Sequence, residues 1–142
     1  MRYLLDTDSL SYFFRGEGLV AQRLQALTPA DIAIPAPALY ESRLGILRLS
    51  VGVRRAALMT ALDRAVTTMD VVPFDHKAAE AAARIRTQLE FSGVPIGPIE
   101  VQIAGIAMAH AAVLVTRKVR EFSGVPGLTV ENWYDSPILP AE

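Results

Sequence analysis

Cysteine is absent from the 142 residues. Its absence excludes disulfides and thiolate metal sites, and it suits a reducing, cytoplasmic setting. Histidine is scarce: His76 and His110 are the whole set. Each stands at the edge of an expected helix with no partner at ligand or acid–base spacing, which reads as a surface or helix-end residue. Long apolar runs are missing too. No stretch of about 18 apolar residues exists, so no membrane-spanning helix is expected. The first apolar run is ended by Asp6, too early for a signal peptide. Nor is there an excess of positive charge: 14 Lys and Arg meet 15 Asp and Glu, for a net −1. A module held to nucleic acid by charge alone is usually more basic, whereas an enzyme acting on nucleic acid needs only a local basic rim.

What remains is an ordinary globular balance, 51% apolar and 20% charged, in a chain of one-domain size. The chain reads as a single domain over residues 1–133 with a proline-containing tail, 134–142. Arg2 to Leu5 reads as a short buried strand ended by the turn-prone Asp6-Thr7-Asp8-Ser9. Ser9 is the expected N-cap of a short helix to Arg15, broken by Gly16 and Gly18. A helix over Leu19–Leu27 precedes a second strand, Asp31–Ile34. Pro37 suits the first turn of the next helix, and Val53–Thr67 forms another by apolar spacing and its alanines. Thr68–Pro73 reads as a third strand. Asp75 caps a long alanine-rich helix over Lys77–Phe91 that stops at Ser92-Gly93. Pro98 starts a helix to about Ala111, Val113–Thr116 is a fourth strand, and Leu128–Glu131 a fifth. Short apolar strands alternating with helices predict an α/β fold, a parallel sheet covered on both faces.

In such folds the functional crevice lies at the carboxyl ends of the strands. Asp6 falls just past strand one, Glu41 one turn into the helix after strand two, Glu100 in the first turn of the helix begun at Pro98, and Glu121 shortly after strand four. Singly, each has a plain explanation: a turn former, a solvated side chain, or an acid favoured by the helix dipole. Jointly, they place four carboxylates on one edge of the sheet. Clustered carboxylates repel, and a hard divalent cation resolves the repulsion, taking oxygen ligands from one or two carboxylates plus waters. Such ions activate water and stabilise charge in phosphoryl displacement.

The segments around these acids carry more than the acids. Taken together, LLDTDSLSYFFRG, ALYESRLGI, GVPIGPIEVQIAGIAMAHAAVLVTRKVREF and VPGLTVENW resemble the PIN-domain ribonucleases, most nearly the VapC-like toxins of bacterial toxin–antitoxin pairs. The resemblance runs from Met1 to Trp133 in the family's order and spacing. It implies an α/β/α sandwich with a five-stranded parallel sheet. It implies Mg²⁺- or Mn²⁺-dependent endonucleolytic cleavage of RNA, often structured RNA such as tRNA, inhibition by a cognate antitoxin, and a homodimer or toxin–antitoxin hetero-oligomer. Asp6 then matches the first acid of the metal site, Glu41 the second, and Glu121 a less constant fourth. Glu100 falls where the family usually has aspartate, and Thr116 matches a residue that assists at the site. Asp6 and Glu100 would ligate directly, Glu41 and Glu121 directly or through water.

Two departures stand out. The family often reads Pro-Asn-Asp where this chain reads Pro98-Ile99-Glu100, and one extra methylene moves a carboxylate by about 1.5 Å. Lys118 stands where the family tends to have asparagine or an acid. Its ammonium would compete with the cation, replace one of its charges, or contact an RNA phosphate. Asp8 stands where relatives commonly carry Asn or Ser, as a turn or supporting group.

The acids lead to in-line attack by metal-activated water, leaving a 5′-phosphate and a 3′-hydroxyl. Arg15, Arg43, Arg117, Lys118 and Arg120 are candidates for holding RNA phosphates, against the plain reading of exposed helix and loop arginines. Tyr12, Phe13 and Phe14 suggest a patch packing on a partner, or a base-stacking platform. Two rival functions remain. Asp6-Thr7-Asp8 suggests the DxDx[TV] loop of haloacid-dehalogenase-like phosphatases, but Leu10 stands at the position that loop needs as Thr or Val. The other rival is a PIN-fold protein that Glu100 and Lys118 have deprived of its metal, binding an antitoxin or RNA without cleavage.

Overall fold

The computed structural model describes residues 1–135. Along the chain run β1 (Tyr3–Leu5), α1 (Thr7–Arg15), α2 (Val20–Gln25), a 3₁₀ turn (Pro29–Asp31), β2 (Ile32–Pro35), α3 (Ala36–Leu47), α4 (Val53–Thr68), β3 (Asp70–Val72), α5 (His76–Ser92), α6 (Pro98–Ala109), β4 (Val113–Val115), α7 (Val119–Phe122) and β5 (Val130–Glu131). The five strands form one sheet in the order β3-β2-β1-β4-β5, every pair parallel. β1 is its centre, in register with Ile32 and Ala33 on one side and with Val113 to Val115 on the other.

The strands are short and apolar because both of their faces are covered. Successive side chains alternate between the faces. Leu4, Ala33 and Leu114 point into a cluster with Ile85 and Leu89 of α5 and Ile103 and Ile106 of α6. Tyr3, Leu5, Ile32, Ile34 and Val115 point into the other, with Leu10, Val20, Leu24, Ile46, Leu62 and Trp133. The expected α/β/α sandwich is thus observed, with α5 and α6 on one face and α1 to α4 on the other.

The sequence signals for helix ends hold in most places. Asp75 accepts the Ala78 N–H at 3.0 Å, and Gly93 takes a left-handed conformation (φ 76°) past α5. Pro37 and Pro98 lie in the first turns of α3 and α6. The cap of α1 differs from expectation. Asp6, not Ser9, is its N-cap, in extended conformation, its Oδ1 accepting the Ser9 N–H at 2.8 Å. Ser9 instead donates its hydroxyl to the Val115 carbonyl at 3.1 Å, pinning α1 to β4. The 3₁₀ turn and α7 went unanticipated because each is a single turn, too short for a periodic apolar pattern.

The tail is held at its start: the Tyr134 ring stacks edge-on against Tyr12 at 4.5 Å, and its carbonyl accepts the Leu19 N–H. Residues 136–142 of the expected tail lie outside the described residues. Tyr12, Phe13 and Phe14 are half-buried and pack against the α1–α4 cluster, so most of the expected aromatic patch is absorbed within the chain. Among the described residues, no helix is long and apolar enough to cross a membrane.

Candidate metal centre

The carboxyl ends of β1, β2 and β4 open onto a cleft of about 390 Å³ lined by Asp6, Thr7, Asp8, Glu41, Glu100 and Lys118, with Gly97, Pro98, Ile99 and Ile103. Three of the four acids expected from sequence therefore meet there, together with Asp8.

Asp6 ends β1 and begins α1, so the sheet fixes its backbone on one side and the helix on the other; its own N–H donates to the Val115 carbonyl. It is 5% exposed. Burial raises its pKa above the ordinary carboxylate range, opposed by the hydroxyl of Thr116 and the N–H of Ser9. Glu41 enters from α3, where its Oε1 accepts the Thr7 hydroxyl at 2.6 Å. Glu100 sits in the first turn of α6. Its Oε1 folds back to accept the Gly97 N–H at 2.9 Å, and a Cβ at Gly97 would lie 2.8 Å from that oxygen. Glycine there leaves the carboxylate its place.

Lys118 follows β4. Its backbone N–H donates to Oγ1 of Thr116 at 2.9 Å, and Thr116 is fully buried. The ammonium then reaches across the cleft mouth, donating to Glu100 Oε2 at 2.9 Å and standing 3.6 Å from Asp8 Oδ2. Its pKa is raised, first by the Glu100 hydrogen bond, so it is a standing positive charge.

Glu121 and, of the candidate cations, all but Lys118 lie outside the lining of the cleft. Glu121 is exposed on α7 and does not line it. The expectation placed it by its short distance from β4, but the turn of α7 carries it outward. Arg43 turns to α4, pairing with Asp63 at 2.8 Å. Of the other cations, Arg15 pairs with Glu17 at 2.9 Å, and Arg117 stacks on the Tyr134 ring at 3.6 Å. Sequence reasoning passed over Thr7 as a partner of Glu41 and ranked Asp8 low. The signal for both was their place in the first turn of α1, which directs them to the same edge as Asp6.

Among the described residues, no three acidic or histidine side chains are gathered tightly enough to cage an ion. A hydrated hard cation needs no such cage, since Mg²⁺ keeps several waters and takes one or two carboxylates. The donor set fits that ion: four carboxylates against one ammonium in an open cleft, one of the carboxylates buried.

A family model for the PIN domain matches residues 3–127. The chain belongs to the PIN domain family. Among its PIN-domain relatives, ribonuclease VapC2 of Rickettsia felis is 30% identical over 135 residues, covering 94% of this chain and 98% of that protein. The tRNA(fMet)-specific endonuclease VapC of Salmonella typhimurium is 26% identical over 133 residues, with the same coverage. The crystal structure of VapBC2 from Rickettsia felis, bound to a DNA fragment from the VapBC2 promoter, matches with a TM-score of 0.83 and 29% identity. It covers 94% of this chain and 99% of that one. FitAB bound to a DNA fragment matches with a TM-score of 0.84 at 25% identity, over 94% of this chain and 96% of that one. These two relatives are named as a ribonuclease and an endonuclease, a third, 28% identical over 138 residues and 93% of this chain, is named toxin FitB of Neisseria gonorrhoeae, and the solved neighbours are two-component complexes.

Proposed function

We propose that this PIN domain is an Mg²⁺- or Mn²⁺-dependent endoribonuclease, the toxin of a toxin–antitoxin pair. The observation that carries the reading is the joint placement of buried Asp6 with Glu41 and Glu100 in one cleft at the carboxyl edge of the sheet. The names of the relatives support RNA as substrate, with structured RNA such as tRNA the first choice, and the two-component neighbours support an antitoxin as partner.

In this reading Asp6 and Glu100 would hold the ion, and Glu41 and Asp8 would support it through water. When bound, the ion supplies Lewis-acid activation of water and charge stabilisation at the phosphate. The protein's share is positioning. The cap and strand contacts fix Asp6, Thr7 orients Glu41, and the glycine before α6 lets Glu100 fold toward the cleft. Lys118 faces the incoming phosphate as a fixed positive charge.

The test is cleavage of RNA by purified, antitoxin-free protein with Mg²⁺ or Mn²⁺, beside Asp6→Asn. Asparagine preserves the helix cap, so the variant should fold. We expect it to lose at least about 100-fold in rate, the upper end of what even outer-shell changes remove, and the unaltered protein to leave 5′-phosphate ends. Equal products from both proteins would sink the proposal. The Lys118–Glu100 pair favours a second reading, a protein that binds antitoxin or RNA without cleavage. Absence of any metal-dependent products from the unaltered chain would select it.

A further inference from the structure

We infer that the Lys118 ammonium is a built-in counter-ion that takes the place of one divalent cation, so that the cleft loads one ion fewer than its carboxylates alone would hold. The inference rests on the metal-dependent reading above and concerns how that centre is filled.

Four carboxylates line the cleft, and a wall with that much negative charge suits two divalent ions. Lys118 alters the balance. Its ammonium lies within hydrogen-bonding distance of Glu100 and 3.6 Å from Asp8, the position of a cation bridging α6 and α1. With that charge present, one divalent ion leaves the cleft one charge short of neutral and a second overshoots it. The ammonium is no stray surface charge. The buried hydroxyl of Thr116 anchors its backbone, and its side chain is 43% exposed against 26% for Glu100, which lies beneath it. Among the described residues, neither Asp6 nor Glu41 has a cationic partner: Asp6 is met by the Ser9 N–H and the Thr116 hydroxyl, and Glu41 by the Thr7 hydroxyl, all neutral. The ammonium therefore covers the Glu100–Asp8 side, and the remaining ion belongs to Asp6 with the free lone pairs of Glu100. Lysine suits this role as a compact point charge with three donors.

An ordinary salt bridge tying three elements together would be structural only, so the test counts ions instead of measuring rate. The full chain, free of any partner protein, is dialysed against Mn²⁺ alone, and bound Mn²⁺ is counted by electron paramagnetic resonance. Lys118→Met should bind one more Mn²⁺ per chain than the unaltered protein. Lys118→Gln should do the same, and Lys118→Arg should keep the unaltered count. If the unaltered protein holds one ion, the loaded Met variant should also show the dipolar splitting of two neighbouring Mn²⁺ ions. Equal counts for the unaltered protein and both neutral variants overturn the inference. The unaltered chain's own count judges the proposed function separately: zero overturns the metal-dependent reading, even where the neutral variants gain an ion and so uphold the role of Lys118.

Discussion

At the scale of single residues, Asp6 does two jobs with one carboxylate. It caps α1, and it offers a buried negative charge to the cleft. The second job weakens the metal-free fold. A carboxyl whose folded pKa lies above its unfolded value binds its proton more tightly when folded. Stability therefore falls as pH climbs from the unfolded value through the folded one, and is level above it. Asp6→Asn removes that loss and keeps the cap. In metal-free buffer the variant should melt higher than the unaltered protein at neutral pH, and the difference should vanish in acid, where Asp6 is protonated. Added Mn²⁺ should raise the melting temperature of the unaltered protein and leave the variant's unmoved. A variant melting lower at neutral pH would show that the charge is compensated within the chain. Asp6 was legible in the sequence because the strand end and the turn residues coincide there. Lys118 and Glu100 were singled out together by the resemblance, but their direct ion pair was not legible, since side chains 18 positions apart, on different elements, give no local signal of contact. Glu121 was misplaced for a related reason. Distance along the chain from a strand end fixes the edge, but a single helical turn decides whether a side chain faces the cleft.

At the scale of elements, two helical glycines separate packing from propensity. Gly105 of α6 lies against α5, where an added Cβ would stand 2.6 Å from the Ala78 carbonyl and 2.8 Å from the Ala82 Cβ. The residues of α5 that face this glycine, Ala78 and Ala82, belong to its alanine-rich stretch. A backbone oxygen cannot step aside, so Gly105→Ala forces the two helices apart. Overpacking of this kind costs typically 1–3 kcal/mol, set against a helix-propensity gain of about 1 kcal/mol. We expect net destabilisation by about 1 kcal/mol for alanine and more for valine. Gly45 of α3 has no atom within 4 Å of an added Cβ. There the same change should stabilise by about 0.5–1 kcal/mol. Urea titrations of the two variants check the pair, and stabilisation by Gly105→Ala would contradict the close approach of α5 and α6. Proline, glycine and aspartate marked most element boundaries in advance. Ser9 was the exception: it and Asp6 are both good caps, and the choice was made by the Val115 carbonyl, a partner 106 positions away that claims the serine hydroxyl.

At the scale of the whole molecule, a parallel sheet with β1 at its centre puts both termini of the described chain to structural use. The central place of β1 could be expected from its wholly apolar run ending at the first acid. Trp133, near the other end of the described residues, is the second such use, packing into the cluster beneath the sheet. Trp133, the only tryptophan, is 2% exposed. Its ring meets Tyr3 of β1 edge-on at 5.1 Å, its indole N–H donates to Glu131 at the end of β5, and the Arg23 guanidinium of α2 lies 5.2 Å over it. The indole thus joins an edge strand, the central strand and a helix. It cannot be wetted until the sheet itself opens, so tryptophan fluorescence should report global unfolding. In urea the fluorescence and far-ultraviolet circular dichroism transitions should coincide, as for a two-state domain of this size. Trp133→Ala, followed by dichroism, should lose about 3–5 kcal/mol, and Trp133→Phe less, because the phenyl ring retains the edge contact with Tyr3 while giving up the indole hydrogen bond. A fluorescence transition well ahead of the dichroism would mean that the Trp133 segment detaches before the sheet melts, and that the fold does not depend on this closure.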